Sequence, residues 1–156
     1  MSGKIVITAD STCDLSPALL EQYGLTLMPL YITMGERSYR DGVDIAPSDI
    51  FRYVQETGAL SKTSAPSMQD FFDFFSQFVG DCDAVIHFTI SSHFSSSFQN
   101  ACLAAKEFEN VFVVDSLNLS TGSGLTVLKA RELADMGKTP QEIVDYCNEM
   151  TGRVEA

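Results

Sequence analysis

Four hydroxyl-rich segments carry the residue types best suited to chemistry in this chain. Each places serine or threonine close to the predicted start of a helix; they are residues 10–14, 62–67, 91–97 and 115–122. Hydroxyls, together with the free N–H groups of a helix N-terminus and its partial positive charge, bind a carboxylate or a phosphate. The pattern predicts a site for the acidic head of a small ligand.

Local structure offers a simpler explanation for any one of these hydroxyls, because serine and threonine are preferred helix caps. The four segments taken together favour a site. In an open α/β sheet, ligands gather at the carboxyl ends of the strands, and these segments follow or face such ends. We therefore expect them to converge on one edge of the sheet.

A hydrolase is one alternative, since Ser92, His93 and Ser95 are close in the chain. Such an enzyme needs a nucleophile, a base and a group that orients the base. The G-x-S-x-G elbow that often presents a nucleophilic serine is missing. We interpret His93 as a solvent-facing loop residue and His87, which lies within an apolar run, as a core histidine.

A magnesium site for phosphoryl transfer is a second alternative. Its candidate ligands are the carboxylates Asp10, Asp14, Asp41 and Asp44. Asp14 is better explained by the helix start that follows it, and Asp41 by a turn with the next glycine. The sequence contains no Walker motif and no dinucleotide-binding fingerprint. We expect neither a metal nor a cofactor.

The elements that must position these segments alternate between strand and helix. Apolar runs predict strands at residues 5–9, 25–34, 84–90 and 111–114, with a short return strand at 37–39. Capping residues, prolines and glycines predict helices at residues 16–24, 47–56, 67–78, 95–108 and 121–136, and a last one after Thr139. Residues 62–67 are expected to form a loop. The result is an α/β fold with a mostly parallel sheet and helices on both faces, in a single domain spanning residues 1–156.

Composition excludes several partners. The net charge is −11, and only 10 lysines and arginines are spread over 156 residues. Nucleic acid and anionic membrane surfaces both need clustered basic residues. No segment approaches the ~20 apolar residues of a membrane span. Four scattered cysteines without a C-x-x-C pair indicate reduced thiols and a cytoplasmic location.

The motifs resemble those of the DegV family, in the same order and spacing and over nearly the whole chain. The matching pieces are residues 10–15 (DSTCDL), 39–45 (YRDGVDI), 63–67 (TSAPS), 90–92 (ISS) leading to Ser95 and Gln99, and 115–116 (DS) leading to Ser120, Gly122 and Gly124. One such motif alone would be a weak signal, but five in order are a strong one.

The resemblance implies a protein that binds a long-chain fatty acid and presents its carboxyl to a separate ATP-dependent fatty acid kinase subunit. It implies that Thr63 and Ser95 hold this carboxyl and that Asp10 and Ser11 lie at the base or edge of the pocket. The residues expected to line the pocket more loosely are Ser64, Ser92, Ser96, Ser120 and Gly122. On this interpretation the chain is not an enzyme, because the partner kinase carries out the chemistry.

The chain departs from the family pattern at three points. Ser96 replaces a glycine in the segment after the strand, and Ala65 replaces a glutamine. Family members also continue into a second domain, which closes over the ligand and supplies a histidine. We expect this chain to correspond to the N-terminal domain only. An alternative role is therefore an interaction module without lipid binding, which buries the face left by the missing domain against a partner or a second copy of the chain.

Overall fold

The computed structural model describes residues 3–154, so the two residues at each end of the predicted 1–156 domain lie outside the described range. In chain order the strands are β1 (Ile5–Asp10), β2 (Thr26–Met28), β3 (Tyr31–Met34), β4 (Arg37–Arg40), β5 (Lys62–Ser64), β6 (Ala84–Thr89) and β7 (Val111–Asp115). The helices are α1 (Pro17–Tyr23), α2 (Pro47–Thr57), α3 (Met68–Ser76), α4 (Ser97–Ala105), α5 (Ser120–Asp135) and α6 (Pro140–Thr151). A 3₁₀ turn (Ser11–Cys13) follows β1 directly.

The main sheet has four strands in the order β2-β1-β6-β7, and every neighbouring pair is parallel. This confirms the predicted α/β fold with a mostly parallel sheet. Every residue of β6 is buried, as expected for a strand of a parallel sheet that is covered on both faces. The polar segments at residues 91–97 and 116–119 therefore follow the carboxyl ends of adjacent strands.

Helices cover both faces of this sheet. On one face, Ile7 and Phe88 belong to a buried apolar cluster with residues of α5 and α6. On the opposite face, Val85 packs with Phe71 and Phe75 of α3 and with small residues of α4. Burial of each phenylalanine contributes about 1.5–3 kcal/mol, so α3 is fixed firmly against the sheet. Within residues 3–154 no helix combines the length and hydrophobicity needed to cross a membrane.

A second, antiparallel sheet corrects two expectations. Its order is β4-β3-β5. The apolar run at residues 25–34, expected to be one strand, is divided between the two sheets at Pro29, which lacks an N–H and restricts the residue before it. Residues 62–64, expected to be loop, form β5, in which Thr63 pairs with Ile32.

The capping signals place most helix starts correctly. The hydroxyls of Ser16, Ser67 and Thr139 each accept a hydrogen bond from the first turn of the following helix. The predicted start at Ser95 is wrong by two residues: α4 begins at Ser97, whose backbone N–H donates to the Ser95 hydroxyl at 3.1 Å. Ser95 consequently lies in the loop before the helix, at the edge of the sheet.

Candidate functional site

A cavity of about 340 Å³ lies where the segment after β6 faces β5. Its walls combine hydroxyl-bearing and apolar side chains: Leu30, Thr63, Ser64, Ala65, Ile90, Phe94, Ser95 and Ser96. The structure therefore brings together four of the predicted site residues from two distant parts of the chain. We call this cavity the head pocket.

Backbone pairing positions Thr63 and Ser64. Both belong to β5, which pairs with β3 so that Ser64 lies opposite Tyr31. Just after β5, the carbonyl of Pro66 accepts a 2.8 Å hydrogen bond from the side-chain amide of Asn100 in α4. Thr63 and Ser64 are thus held between the antiparallel sheet and α4, the helix that follows Ser95 and Ser96 on the opposite side of the pocket.

The start of β3 is fixed to the first turn of α3 by the hydroxyl of Tyr31, which donates to Asp70 at 3.1 Å. Burial, and next the bond to Asp70, raise the pKa of Tyr31. Partial burial opposes ionisation of Asp70, but bonds from Ser67 and Tyr31 outweigh it and lower the pKa of this carboxyl. The phenol stays a donor and the carboxylate an acceptor near neutral pH, so the contact persists.

Several side-chain hydroxyls in the head pocket are free to form hydrogen bonds with a ligand. Among residues 3–154, the hydroxyls of Thr63, Ser64 and Ser96 have no hydrogen-bond partner in the protein. The hydroxyl oxygen of Ser95 accepts the N–H of Ser97, which leaves its own proton available to a ligand. Several donors therefore face one small space, and this arrangement can hold a carboxylate.

Five of the nine predicted site residues do not line the head pocket: Asp10, Ser11, Ser92, Ser120 and Gly122. Ser120 lines an adjoining cavity of about 230 Å³, together with Phe94, Leu117, Asn118 and Leu119. Ser92 is exposed, and its backbone N–H donates to the carboxylate of Asp115 at 3.1 Å. Gly122 is buried in the first turn of α5. Neither Ser92 nor Gly122 lines either cavity.

Phe94 is common to both cavities, and its side chain is 69% exposed. Leu117 and Leu119 of the adjoining cavity are also exposed. Leu117 has a φ of +50°, a conformation that costs a residue with a side chain about 1 kcal/mol or more. We call these three side chains the apolar lip. They give the hydroxyl-lined pocket a hydrophobic margin.

Asp10 lies beneath the head pocket rather than in it. Its side chain is buried, and both carboxylate oxygens are occupied. One oxygen accepts from the Ser97 hydroxyl at 2.6 Å and from the Ile90 N–H at 3.0 Å. The other is 3.2 Å from Nε2 of His87. Asp10 therefore contacts residues of the pocket wall and not the cavity.

Ser11 acts on the wall in a similar way. Its hydroxyl donates to Asp41 at 2.6 Å and accepts from the backbone N–H of Leu30 at 3.2 Å. Leu30 in turn lines the head pocket, whereas Ser11 does not. Asp10 and Ser11 thus each accept a hydrogen bond from the backbone N–H of a residue that lines the head pocket, Ile90 and Leu30 respectively.

His87 is a satisfied core histidine, as the sequence indicated. Its ring is fully buried and lies edge-on to Phe71 and Phe75, with centroid separations of 5.3 and 5.4 Å. Nδ1 is 2.9 Å from the Thr8 hydroxyl, and Nε2 faces Asp10. Both nitrogens are used inside the core, so the ring cannot meet a substrate.

The hydrolase alternative finds no support in the geometry. His93 is exposed, and among residues 3–154 its ring has no hydrogen bond to a serine. The buried Ser97 hydroxyl donates to Asp10 and not to an imidazole. Within residues 3–154, neither imidazole ring is hydrogen-bonded to a serine that it could activate as a nucleophile.

The four carboxylates of the metal alternative do not form a common site. Within the described range, residues 3–154, no group of three or more histidines, cysteines, aspartates and glutamates could hold a metal ion. Asp44 instead forms a two-point pair with Arg40, each contact being 2.9 Å. The hydrogen bond from the Arg40 side chain lowers the pKa of Asp44 to about 2. Asp41 accepts from Ser11, and Asp10 is buried.

A larger apolar groove of about 630 Å³ lies elsewhere, between α1, β2 and the loop before α2. Leucines and prolines dominate its walls, and it has no lining residue in common with the head pocket. Ser11, one of the predicted site residues, lines this groove together with Asp41. Sequence analysis missed the apolar wall residues Leu30, Ile90 and Phe94 of the head pocket, although the position of Phe94 within a hydroxyl-rich loop was a usable signal.

Fold and site together define a class: α/β proteins whose parallel sheet carries, at its carboxyl edge, a small hydroxyl-lined pocket with an apolar margin. The chain belongs to the DegV family. The family model, described as an uncharacterised protein of the DegV family, matches residues 4–156. The resemblance seen in the motifs is thereby confirmed.

Relatives of known sequence and structure agree with this assignment. A DegV domain-containing protein of Clostridium perfringens is 36% identical over 157 residues, covering 97% of this chain and 56% of the relative. A solved structure described as fatty acid binding by a DegV family protein from Thermus thermophilus superposes with a TM-score of 0.88 at 35% identity, covering 96% of this chain and 54% of the other.

A second solved structure, described as DegV, a fatty acid binding protein from Bacillus subtilis, has a TM-score of 0.90 at 27% identity. The match covers 97% of this chain and 55% of the Bacillus protein. The chain therefore spans about half the length of the relatives it matches.

Proposed function

We propose that this chain binds a long-chain fatty acid, with its carboxyl held in the head pocket by Thr63 and Ser95. The observation that carries the proposal is the set of free hydroxyl donors in one cavity of about 340 Å³, whose walls also include Leu30, Ile90 and Phe94. Ligand pockets use a small number of placed polar groups to fix the orientation of the ligand. The two solved relatives, described as fatty acid binding, support the same ligand class.

Local hydrogen-bond donors must hold the acidic head of the ligand, because the overall electrostatic field of the chain repels an anion. The chain carries a net charge of −11, which disfavours the approach of an anion. The proton of the Ser95 hydroxyl is available, since its oxygen already accepts from Ser97. Hydrogen bonds to a charged group contribute about 1.5–3 kcal/mol each, so two or three hydroxyls offset this repulsion.

The acyl chain would leave the head pocket past Phe94 and lie along the apolar lip. Phe94 lines both cavities, and the second one is walled by Leu117 and Leu119. Each buried CH₂ group contributes about 0.8 kcal/mol. For a long chain, the tail therefore supplies most of the affinity and the hydroxyls supply the orientation.

The role we infer for the bound acid is presentation to a separate ATP-dependent kinase in the cytoplasm. Thr63, Ser64 and Ser96 are exposed at the rim of the pocket, so a carboxyl held there remains within reach of another protein. The chain itself would act as a binding protein and contribute no catalytic group. Its four cysteines are free thiols, which suits a reducing compartment.

Lipid analysis of the purified protein tests fatty-acid binding directly. We expect native mass spectrometry and solvent extraction to detect a co-purified fatty acid, and added oleate to raise the melting temperature. A lipid-free protein whose melting temperature does not respond to oleate would contradict the proposal. Incubation with a fatty acid kinase and ATP then tests presentation, with formation of acyl phosphate as the expected result.

Self-association is a second candidate, favoured by the exposure of the apolar lip. Three large apolar side chains around one cavity could equally be covered by a second copy of the chain. Light scattering as a function of concentration distinguishes the two. A dimer that persists in saturating oleate supports self-association, and a monomer at all concentrations excludes it.

A further inference from the structure

A continuous line of buried polar side chains runs beneath the head pocket. It begins at Thr8 of β1, passes through His87 of β6 to Asp10, and ends at Ser97, the first residue of α4. All four residues are almost completely buried, Asp10 being 1% exposed. Buried polar groups of this kind are costly unless each has a partner.

The Asp10 carboxylate joins two pieces of the pocket wall. It accepts the N–H of Ile90, which fixes the end of β6, and the hydroxyl of Ser97, which fixes the start of α4. The N–H of Ser97 in turn donates to the hydroxyl of Ser95. Ile90 and Ser95 both line the head pocket, so one buried carboxylate controls the relative position of an apolar wall residue and a carboxyl-binding hydroxyl.

His87 fixes the orientation of this carboxylate. Because a carboxylate only accepts hydrogen bonds, Nε2 of His87 donates to Asp10. The ring is itself held by the hydrogen bond with Thr8 and by T-shaped contacts with Phe71 and Phe75. The carboxylate therefore has little freedom to turn away from Ser97.

We propose that Asp10 is a positioning residue for the head pocket, acting through Ser97 on Ser95 and through Ile90 on the apolar wall. The inference rests on the proposed fatty-acid function and changes the role expected for Asp10 from a residue at the base or edge of the pocket to an internal support of its wall. The hydroxyl of Ser95 presents its proton to the ligand only while the Asp10 carboxylate holds Ser97 in place.

Ser97→Ala tests the proposal, because it removes the 2.6 Å bond without touching the cavity. The measured quantity is the ratio of the dissociation constants of oleyl alcohol and oleate, which have the same chain and differ in the head. We expect this ratio to fall about fivefold to thirtyfold, with the affinity for the alcohol nearly unchanged. Ser97→Thr keeps a hydroxyl and should restore the ratio.

Thr126→Val is the matched control, since Thr126 is equally buried but lies in α5, on the other face of the sheet. It should leave the ratio unaltered. A purely structural role predicts instead that Ser97→Ala weakens both ligands alike, and this result would overturn the proposal.

Asp10→Asn provides a second variant in case Ser97→Ala does not fold. It keeps the shape of the side chain, and we expect the same fall in the ratio together with faster amide hydrogen exchange at Ile90. Unchanged exchange and an unchanged ratio would refute the positioning role alone. Failure of the unmodified protein to prefer oleate over oleyl alcohol would overturn the fatty-acid function, and the positioning role with it.

Discussion

The hydroxyl of Ser97 donates a 2.6 Å hydrogen bond to the buried carboxylate of Asp10, 87 positions earlier in the chain. This contact joins the end of the first strand to the start of the helix that follows the neighbouring strand of the sheet. The hydroxyl-bearing segment of residues 91–97 is consequently anchored to the core. Its exposed serines belong to a preorganised wall and not to a loose loop.

Removal of the Ser11 hydroxyl should loosen the opposite wall. Ser11→Ala abolishes the bonds to Asp41 and to the N–H of Leu30. Leaving partly buried polar groups without partners costs about 1–3 kcal/mol, so we expect the free energy of unfolding to fall by about that amount. Urea denaturation measures the change. Ser38→Ala, an exposed serine in β4, should alter stability little, and equal effects of the two substitutions would contradict the interpretation.

Truncation of Phe94 should weaken lipid binding without unfolding the protein. The side chain is 69% exposed and contributes little to the core. Phe94→Ser should therefore weaken oleate binding about tenfold, through loss of roughly 1.4 kcal/mol of apolar contact, as measured by calorimetry. Phe51→Ser is a close control, because Phe51 is 68% exposed but lies in α2. If both substitutions weaken binding equally, the tail does not follow the apolar lip.

The buried thiol of Cys147 should lower the free energy of unfolding at alkaline pH. Burial raises the pKa of this thiol to about 12, from an ordinary value of 9.0. Because the folded state favours the neutral thiol, the stabilisation is complete below pH 9 and is lost as the pH rises towards 12. The free energy of unfolding between pH 8 and pH 11 should fall less steeply in Cys147→Ala than in the unmodified protein. Parallel curves would contradict the prediction.

Much of the fold could be predicted from sequence, because the apolar runs of β1, β6 and β7 and the capping residues of the helices are local signals. β5 could not, since Lys62, Thr63 and Ser64 are all exposed and show no alternation of apolar and polar residues. Its pairing with β3 depends on tertiary structure. The division of residues 25–34 between two sheets has a visible cause in Pro29, which the hydrophobicity of the run concealed.

The hydroxyls of the site were easier to predict than their supports. Thr63 and Ser95 each lie in a polar stretch of sequence typical of loops. Since the carboxyl ends of the strands in a parallel sheet meet at one edge, such stretches are expected to come together there. Asp10 is the last residue of its strand and so reaches the same edge of the sheet, yet it is buried by contacts with Ser97 and His87. No spacing in the sequence distinguishes a carboxylate at the rim from one beneath it, because the difference depends on residues far away in the chain.

The most direct measurement compares oleate binding by the unmodified protein and by the double variant Thr63→Ala/Ser95→Ala, using calorimetry at fixed pH and salt. We predict that the double variant binds oleate at least tenfold more weakly, from the loss of about 1.5–3 kcal/mol for each bond to the carboxylate. It should bind oleyl alcohol almost as before and stay folded, with a melting temperature lowered only by loss of the hydrogen bond between the Ser97 N–H and the Ser95 hydroxyl. Thr33→Ala/Ser38→Ala, a hydroxyl pair on the neighbouring strands β3 and β4, serves as the control. Unchanged oleate affinity in the folded double variant would contradict a carboxyl site at Thr63 and Ser95.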